Sequence, residues 1–152
     1  MIGNLTNEEI EEVLKQNVLG RIGCNDGKKT YVVPVNYVYD GRCIIAHSYE
    51  GMKIKMMRKN SDVCFEVDEM KSFTSWKSVI AWGEYQELTE ERKRYEAMKL
   101  FVDRMLHVKI SKSAVLPHAV ENVAQPHFPH GKSRSVIYRI VITEKTGRFE
   151  NE

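Results

Sequence analysis

The sequence lacks an excess of either charge. Its 152 residues carry 23 lysines and arginines against 21 aspartates and glutamates, a net charge of +2. That balance gives no reason to expect nucleic acid or an anionic membrane as a partner. Cysteine is scarce: Cys24, Cys43 and Cys64 are odd in number and show no CxxC spacing. Free thiols in a reducing cytoplasm are therefore expected, not a disulfide framework. No apolar run approaches the length of a membrane span. The opening "MIGNLTNEEIEEVL" lacks the basic-then-apolar order of a signal peptide. A soluble, cytoplasmic protein is the expectation. Internal repeats and low-complexity segments are absent too. Of four prolines, three fall between Lys109 and Arg134, together with His118, His127 and His130. This stretch reads as a long ordered loop, which is uncommon in a compact domain unless it covers a site or a partner.

What remains is ordinary globular composition, 42% hydrophobic and 29% charged. The length suits a single domain over residues 1–152, one that buries about 70% of its unfolded surface without metal or disulfide staples. Thr6-Asn7-Glu8-Glu9 fits a capping box, and Ile10, Val13 and Leu14 continue at helical spacing. Strands follow. Val18–Asn25 leads to the Asp26-Gly27 turn, and Thr30–Tyr39 leads to Asp40-Gly41. Arg42–Ser48 is the third strand, and Glu50–Asn60 is a short basic helix. In Asp62–Glu69, Val63, Phe65 and Val67 alternate with Cys64, Glu66 and Asp68. Ser75–Leu88 is a long strand with Gly83 as a bulge or close contact. Thr89 is expected to cap the longest helix, with an apolar stripe of Tyr95, Met98, Phe101, Val102 and Met105. "SVIYRIVIT" is a last strand before the exposed tail "GRFENE". Hairpins dominate and βαβ alternation is missing. The expected fold is mainly β, an antiparallel barrel with peripheral helices.

Three features suggest chemistry. Pro34 and Asn36 share one face of a strand. Either the strand is a solvent-facing edge, where proline is tolerated, or the backbone around Val35–Tyr37 turns outward toward a planar ligand. "HSYEGMKIKMMRKN" runs from a strand end at His47-Ser48 through a glycine into a helix with Lys53, Lys55 and Arg58. Hydroxyl, free helix N–H groups and lysine suit a phosphate, while a solvated basic face explains the same residues more plainly. Trp76 and Trp82, six apart, lie on one strand face. They form either barrel core or a wall for an aromatic ring, with Ser75 or Ser78 adding a hydrogen bond.

The segments "VLGRIGCNDG", "YVVPVNYVYDGRCIIAHS", "GMKIKMMRKNSDVCFEVDE" and "SWKSVIAWGEYQEL" occur in this order over Leu14 to Leu88. Together they resemble the pyridoxamine 5′-phosphate oxidase-like flavin-binding proteins, and among these the nitroimidazole-resistance (Nim-type) branch. The resemblance implies a split β-barrel that works as a homodimer, with FMN in a groove shared by both chains. It implies that Val35, Asn36 and Tyr37 flank the flavin ring and ribityl chain. His47 and Ser48 would lie beside the cofactor, and Lys53 would bind its phosphate with Lys55 or Arg58 as helpers. Trp76, Lys77, Ser78 and Val79 would approach from the partner.

The implied activity is an FMN-dependent oxidoreductase acting on a small electron-poor substrate such as a nitroaromatic, with electrons from NAD(P)H or another donor. His47 is the candidate catalytic proton donor, through a pKa tuned near neutrality. The arginine- and histidine-rich C-terminal pattern of true vitamin B6 oxidases is missing. Two other readings remain. One is a non-catalytic flavin- or haem-binding protein, with His118, His127 or His130 as axial ligand, although the prolines of "PHFPH" argue against a helical metal pair there. The other is a cofactor-free domain that keeps the barrel.

Overall fold

The computed structural model describes residues 1–112 and 135–152. In chain order they form β1 (Ile2–Asn4), α1 (Asn7–Gln16), β2 (Leu19–Asn25), β3 (Thr30–Asn36), β4 (Val38–Tyr39), β5 (Cys43–Tyr49), α2 (Met52–Lys59), β6 (Asp62–Ser72), β7 (Ser75–Glu87), α3 (Glu91–Lys112) and β8 (Ser135–Glu150). The strands make one antiparallel sheet in the order β3-β2-β6-β7-β8-β5-β4, with β1 added beside β8. This is the split β-barrel architecture expected from the hairpin-rich order.

Local chemistry starts each element. The Thr6 hydroxyl accepts from the Glu9 N–H at 3.2 Å, and a Glu9 carboxylate oxygen accepts from the Thr6 N–H at 2.8 Å. Both members of the capping box are therefore in place. Replacing Thr6 by alanine should cost about 1 kcal/mol of stability, read as a lower urea midpoint with unchanged slope. Val63, Phe65 and Val67 of β6 point into the barrel, where they join Ile22, Tyr37, Val79, Ala81 and Tyr138. A second cluster lies on the other face of the β5–β8 pair. Ile45 and Ile137 meet Ala97, Phe101 and Met105 of α3 there.

Gly83 sits where the β7–β8 register shifts. A Cβ at Gly83 would lie 2.3 Å from the Val141 carbonyl oxygen, so the strands approach closely only because none is present. At the turn after β4, Gly41 adopts φ 98° and Asp40 Oδ1 accepts from the N–H groups of Arg42 and Cys43.

Several expectations need correction. The strand expected over Thr30–Tyr39 breaks at Tyr37, whose N–H bonds the Val18 carbonyl; β4 then pairs with β5 instead of β2. The Asp26-Gly27 turn is part of a four-residue loop, because Asn25 pairs with Thr30 and Asp26 Oδ1 accepts from Lys28 and Lys29 N–H. The Glu90 carbonyl, not Thr89, accepts the first bond of α3, from Arg94 N–H. Tyr95 is 69% exposed, and the buried stripe of α3 is Ala97, Phe101 and Met105. The tail is strand: β8 continues through "GRFE", and Leu5 N–H bonds the Gly147 carbonyl. Lys109–Lys112 are helical, and the remainder of the expected loop lies outside the described residues.

Candidate functional site

The corner where β5 passes into α2 holds a lysine without an ion pair among the described residues beside an open helix start. Gly51 occupies the N-cap of α2 with no side-chain cap, and the first turn holds no acidic residue. The first N–H groups of the helix are thus free for an anion. Lys53 lies in that first turn, half-buried, and makes no ion pair among the described residues. Burial lowers its ammonium from the ordinary lysine value, while the nearby Cys24 thiol opposes the shift. An unpaired, partly desolvated ammonium beside an open helix N-terminus fits a phosphate.

The two expected helpers differ from Lys53. Arg58 is already engaged: Nη1 and Nη2 bond the Glu50 carboxylate at 2.8 and 2.7 Å, and Nε bonds Glu87 at 2.9 Å. This removes Arg58 as a phosphate ligand, because its fork is filled by carboxylates that hold α2 to the end of β7. Lys55 is exposed.

His47 and Ser48 point to opposite faces of β5. His47 shares the face of Ile45, under α3, and its Nε2 lies 2.6 Å from Ser135 Oγ of β8. Its Nδ1 is buried and has no hydrogen-bond partner among the described residues. Arg94 of α3 donates to the carbonyls of Leu88 and Ser135. Burial, then the charges of Arg94 and Lys53, push the imidazole down to about 4. At neutral pH His47 is therefore an uncharged ring. This replaces the expectation of a proton donor tuned near pH 7. The Ser48 hydroxyl donates to the Tyr49 carbonyl at 3.0 Å.

Val35, Asn36 and Tyr37 end the outermost strand. Tyr37 N–H reaches Val18 O, so in the antiparallel ladder Val33 and Val35 also bond β2, while Val32, Pro34 and Asn36 turn their backbone groups outward. Proline loses no ladder bond at that parity, which makes the edge-strand account of Pro34 sufficient. The same parity leaves the Asn36 N–H and the Pro34 and Asn36 carbonyls directed off the sheet edge, and the Asn36 side chain is exposed on the outer face. The Val35 and Tyr37 side chains are unavailable: both are buried, and the Tyr37 hydroxyl donates to the Leu14 carbonyl at 2.8 Å.

Trp76, Lys77, Ser78 and Val79 occupy the opposite end of the barrel. Trp76 pairs with Glu150, whereas Glu87 pairs with Tyr138 near His47. At the usual strand rise, Ser78 and Glu87 are about 30 Å apart. One chain thus keeps this group away from His47. Trp76 and Trp82 both face outward and are not barrel core: Trp76 Nε1 donates to Glu150 at 3.0 Å, and Trp82 is 38% exposed. Val79 is fully buried in the core, so a ligand or partner meets at most its backbone. Trp82 lines an apolar outer groove of about 640 Å³ with Gly23, Val32 and Cys64. That groove and Ser135 were not foreseen. The alternation that put Cys64 opposite Phe65 marked the outer face, but nothing in the sequence marked Ser135. His118, His127 and His130 lie outside the described residues. All three cysteines are free. Among the described residues no helix is long and apolar enough to cross a membrane.

An antiparallel split barrel is the fold shared by pyridoxamine 5′-phosphate oxidase-like proteins. The chain belongs to the pyridoxamine 5′-phosphate oxidase family, whose model matches residues 6–149. It is 36% identical over 84 residues to the uncharacterized protein RA0666 of Rhizobium meliloti, a match covering 55% of this chain and 56% of that one. The chain thus spans little more than half of that relative's length. Among solved structures it is similar to an FAD-binding protein from Mesorhizobium loti, with 28% identity, 99% of each chain covered and a TM-score of 0.77. A 5-nitroimidazole antibiotic resistance protein from Bacteroides thetaiotaomicron shares the fold, with 18% identity, 98% and 87% of the two chains covered and a TM-score of 0.69.

Proposed function

We propose that the protein is a homodimeric, cytoplasmic oxidoreductase that holds FMN between two copies and reduces a small electron-poor substrate such as a nitroaromatic. The observation that carries this reading is Lys53, half-buried and without an anionic partner among the described residues, beside the uncapped start of α2. Phosphate supplies the missing anion. FMN is favoured over FAD because Arg58 is committed to Glu50 and Glu87, leaving one strong cationic position for one phosphate. The outward backbone of Pro34–Asn36 offers hydrogen bonds to a planar ring along the sheet edge. The separation of the Trp76–Val79 segment from His47 within one chain supports a shared groove, since both groups reach one ligand only if two copies contribute.

Bound FMN would supply the redox chemistry, accepting electrons from a donor such as NAD(P)H and passing them to the substrate. The chain's own contribution is binding, orientation and exclusion of water. His47 stays uncharged at neutral pH, so it offers a hydrogen bond and not a labile proton.

The test is absorbance, mass analysis and sedimentation of the purified protein. Flavin bands, a co-purifying mass equal to FMN and a dimer are expected, with bleaching by NAD(P)H under anaerobic conditions. Absence of bleaching removes the nicotinamide donor. An intense Soret band favours haem binding, and colourless protein that takes up no added FMN defeats the flavin reading.

A further inference from the structure

We propose that two copies of the chain meet through the outer face of β2, β6 and β7, with Trp82 of each copy seated over Gly23 of the partner subunit and Cys64 on the two-fold axis between them. The inference rests on the homodimer of the functional reading and adds where the copies touch.

The groove beside Trp82 is one cross-strand row. Gly23 pairs with Val32 on one side and Cys64 on the other, and Cys64 pairs with Trp82. The neighbours Ile22, Cys24, Phe65 and Ala81 point into the core, so this row faces outward. Val32 and Trp82 stand exposed at its two ends, with the bare backbone of Gly23 between them. The fold does not explain Gly23. It lacks the left-handed φ of Gly27 and Gly41. A Cβ there would meet Cys64 only at an ordinary 3.8 Å. Glycine inside a strand is costly relative to alanine, and one that no bulge or close strand contact requires marks the approach of something else.

The row itself supplies a fitting occupant. In a two-fold contact, residue i meets residue j while j meets i. Between two sheet faces the axis lies in the contact plane, and stacked sheets keep their strands roughly aligned. The axis therefore runs nearly along the strands. β6 lies between β2 and β7. An axis laid over Cys64 exchanges those two neighbours, so each Trp82 ring arrives in the hollow left by Gly23 of the partner subunit.

The same rotation sets β3 against β8, the strands two places out from β6. Asn36 pairs with Leu19, and the register that joins Arg21 to Glu66 continues to Asp68, Ser78 and Arg148. The Trp76–Ser78 segment of one copy thus comes beside Asn36 of the other, as a flavin groove shared by both chains requires. Glu66 and Asp68 also lie on β6 near the axis. Arg21 of each copy, 3.4 and 3.3 Å from them, brings the opposite charge to that stretch.

Sedimentation of the intact protein tests the contact. Wild type should be a dimer. Gly23→Trp fills the hollow and should give a monomer with a cooperative urea transition. Trp82→Ala removes the ring and should also lose the dimer. Mixed together, the two variants should form a heterodimer. The introduced ring of one chain then meets the emptied position 82 of the other, and the native Trp82 of the first meets the native Gly23 of the second. If either variant remains a dimer alone, or the mixture stays monomeric, this interface is overturned while the homodimer reading stands, and the groove belongs to another occupant. A monomeric wild type overturns both. Cys64 gives a readout that needs no substitution and decides the matter where a variant fails to fold. Its thiol should resist iodoacetamide in the dimer and react on dilution to monomer, read by peptide mass. Equal reaction in both states overturns its place on the axis and the interface with it.

Discussion

Replacing Lys53 by alanine should weaken FMN binding by one to two orders of magnitude while leaving riboflavin binding almost unchanged. A hydrogen bond to a charged group contributes about 1.5–3 kcal/mol, and each 1.4 kcal/mol is about tenfold in affinity. Two effects compete at this side chain. Partial burial strips water from the ammonium and disfavours its charge, which is why burial leads the lowering of its pKa. A phosphate next to it reverses that balance, because a paired charge is far less costly to desolvate than a lone one. The protein itself should not suffer from the substitution. Lys53 makes no ion pair among the described residues, and removing a half-buried unpaired charge is neutral or mildly stabilising. Isothermal titration with FMN, FAD and riboflavin reads the result. An equal loss for riboflavin would mean that Lys53 acts through the fold and not through a phosphate. A loss confined to FAD would move the site to a second phosphate and contradict the choice of FMN.

The parts of this fold legible in the sequence are those governed by near neighbours. The capping box of Thr6 and Glu9, the alternation of Val63, Phe65 and Val67, and the special position of Gly83 each depend on chemistry within a few residues or one strand pairing. What was illegible depends on distant partners. The break at Tyr37 is set by the Val18 carbonyl on one side and β5 on the other. Strand β8 extends past its apolar run because β7 and β1 pair with its polar half. At the site, Lys53 was recognisable by its place after a strand end and a glycine. Arg58 looked equivalent until its carboxylate partners, one of them 29 residues away, were in view. Val79 was assigned to a contact between copies, yet strand parity turns its side chain inward; a charge there would break the core and not an interface.

Stability should fall as pH drops from about 6.5 toward 4, and His47→Gln should remove part of that fall. The folded imidazole is held near 4 by burial first, then by Arg94 and Lys53, against an ordinary value of 6.5. Between those two values the unfolded chain binds a proton that the folded chain refuses. Stability therefore rises with pH across this window. The contribution is intact above pH 6.5, is lost on acidification, and levels off below about 4, where both states are protonated. A shift of this size corresponds to at most about 3 kcal/mol, because each pKa unit is worth about 1.4 kcal/mol and solvent reaches part of the ring. Urea unfolding of wild type and His47→Gln at several pH values between 7.5 and 4 measures it. The variant starts lower if the Ser135 contact is lost, so the informative quantity is the change in the gap between the curves; carboxylates common to both proteins cancel. A gap that narrows on acidification matches a ring kept neutral by its surroundings. Parallel curves would mean that His47 takes up a proton as readily folded as unfolded, and an ordinary histidine at the end of β5 could then supply the acid that the buried one withholds.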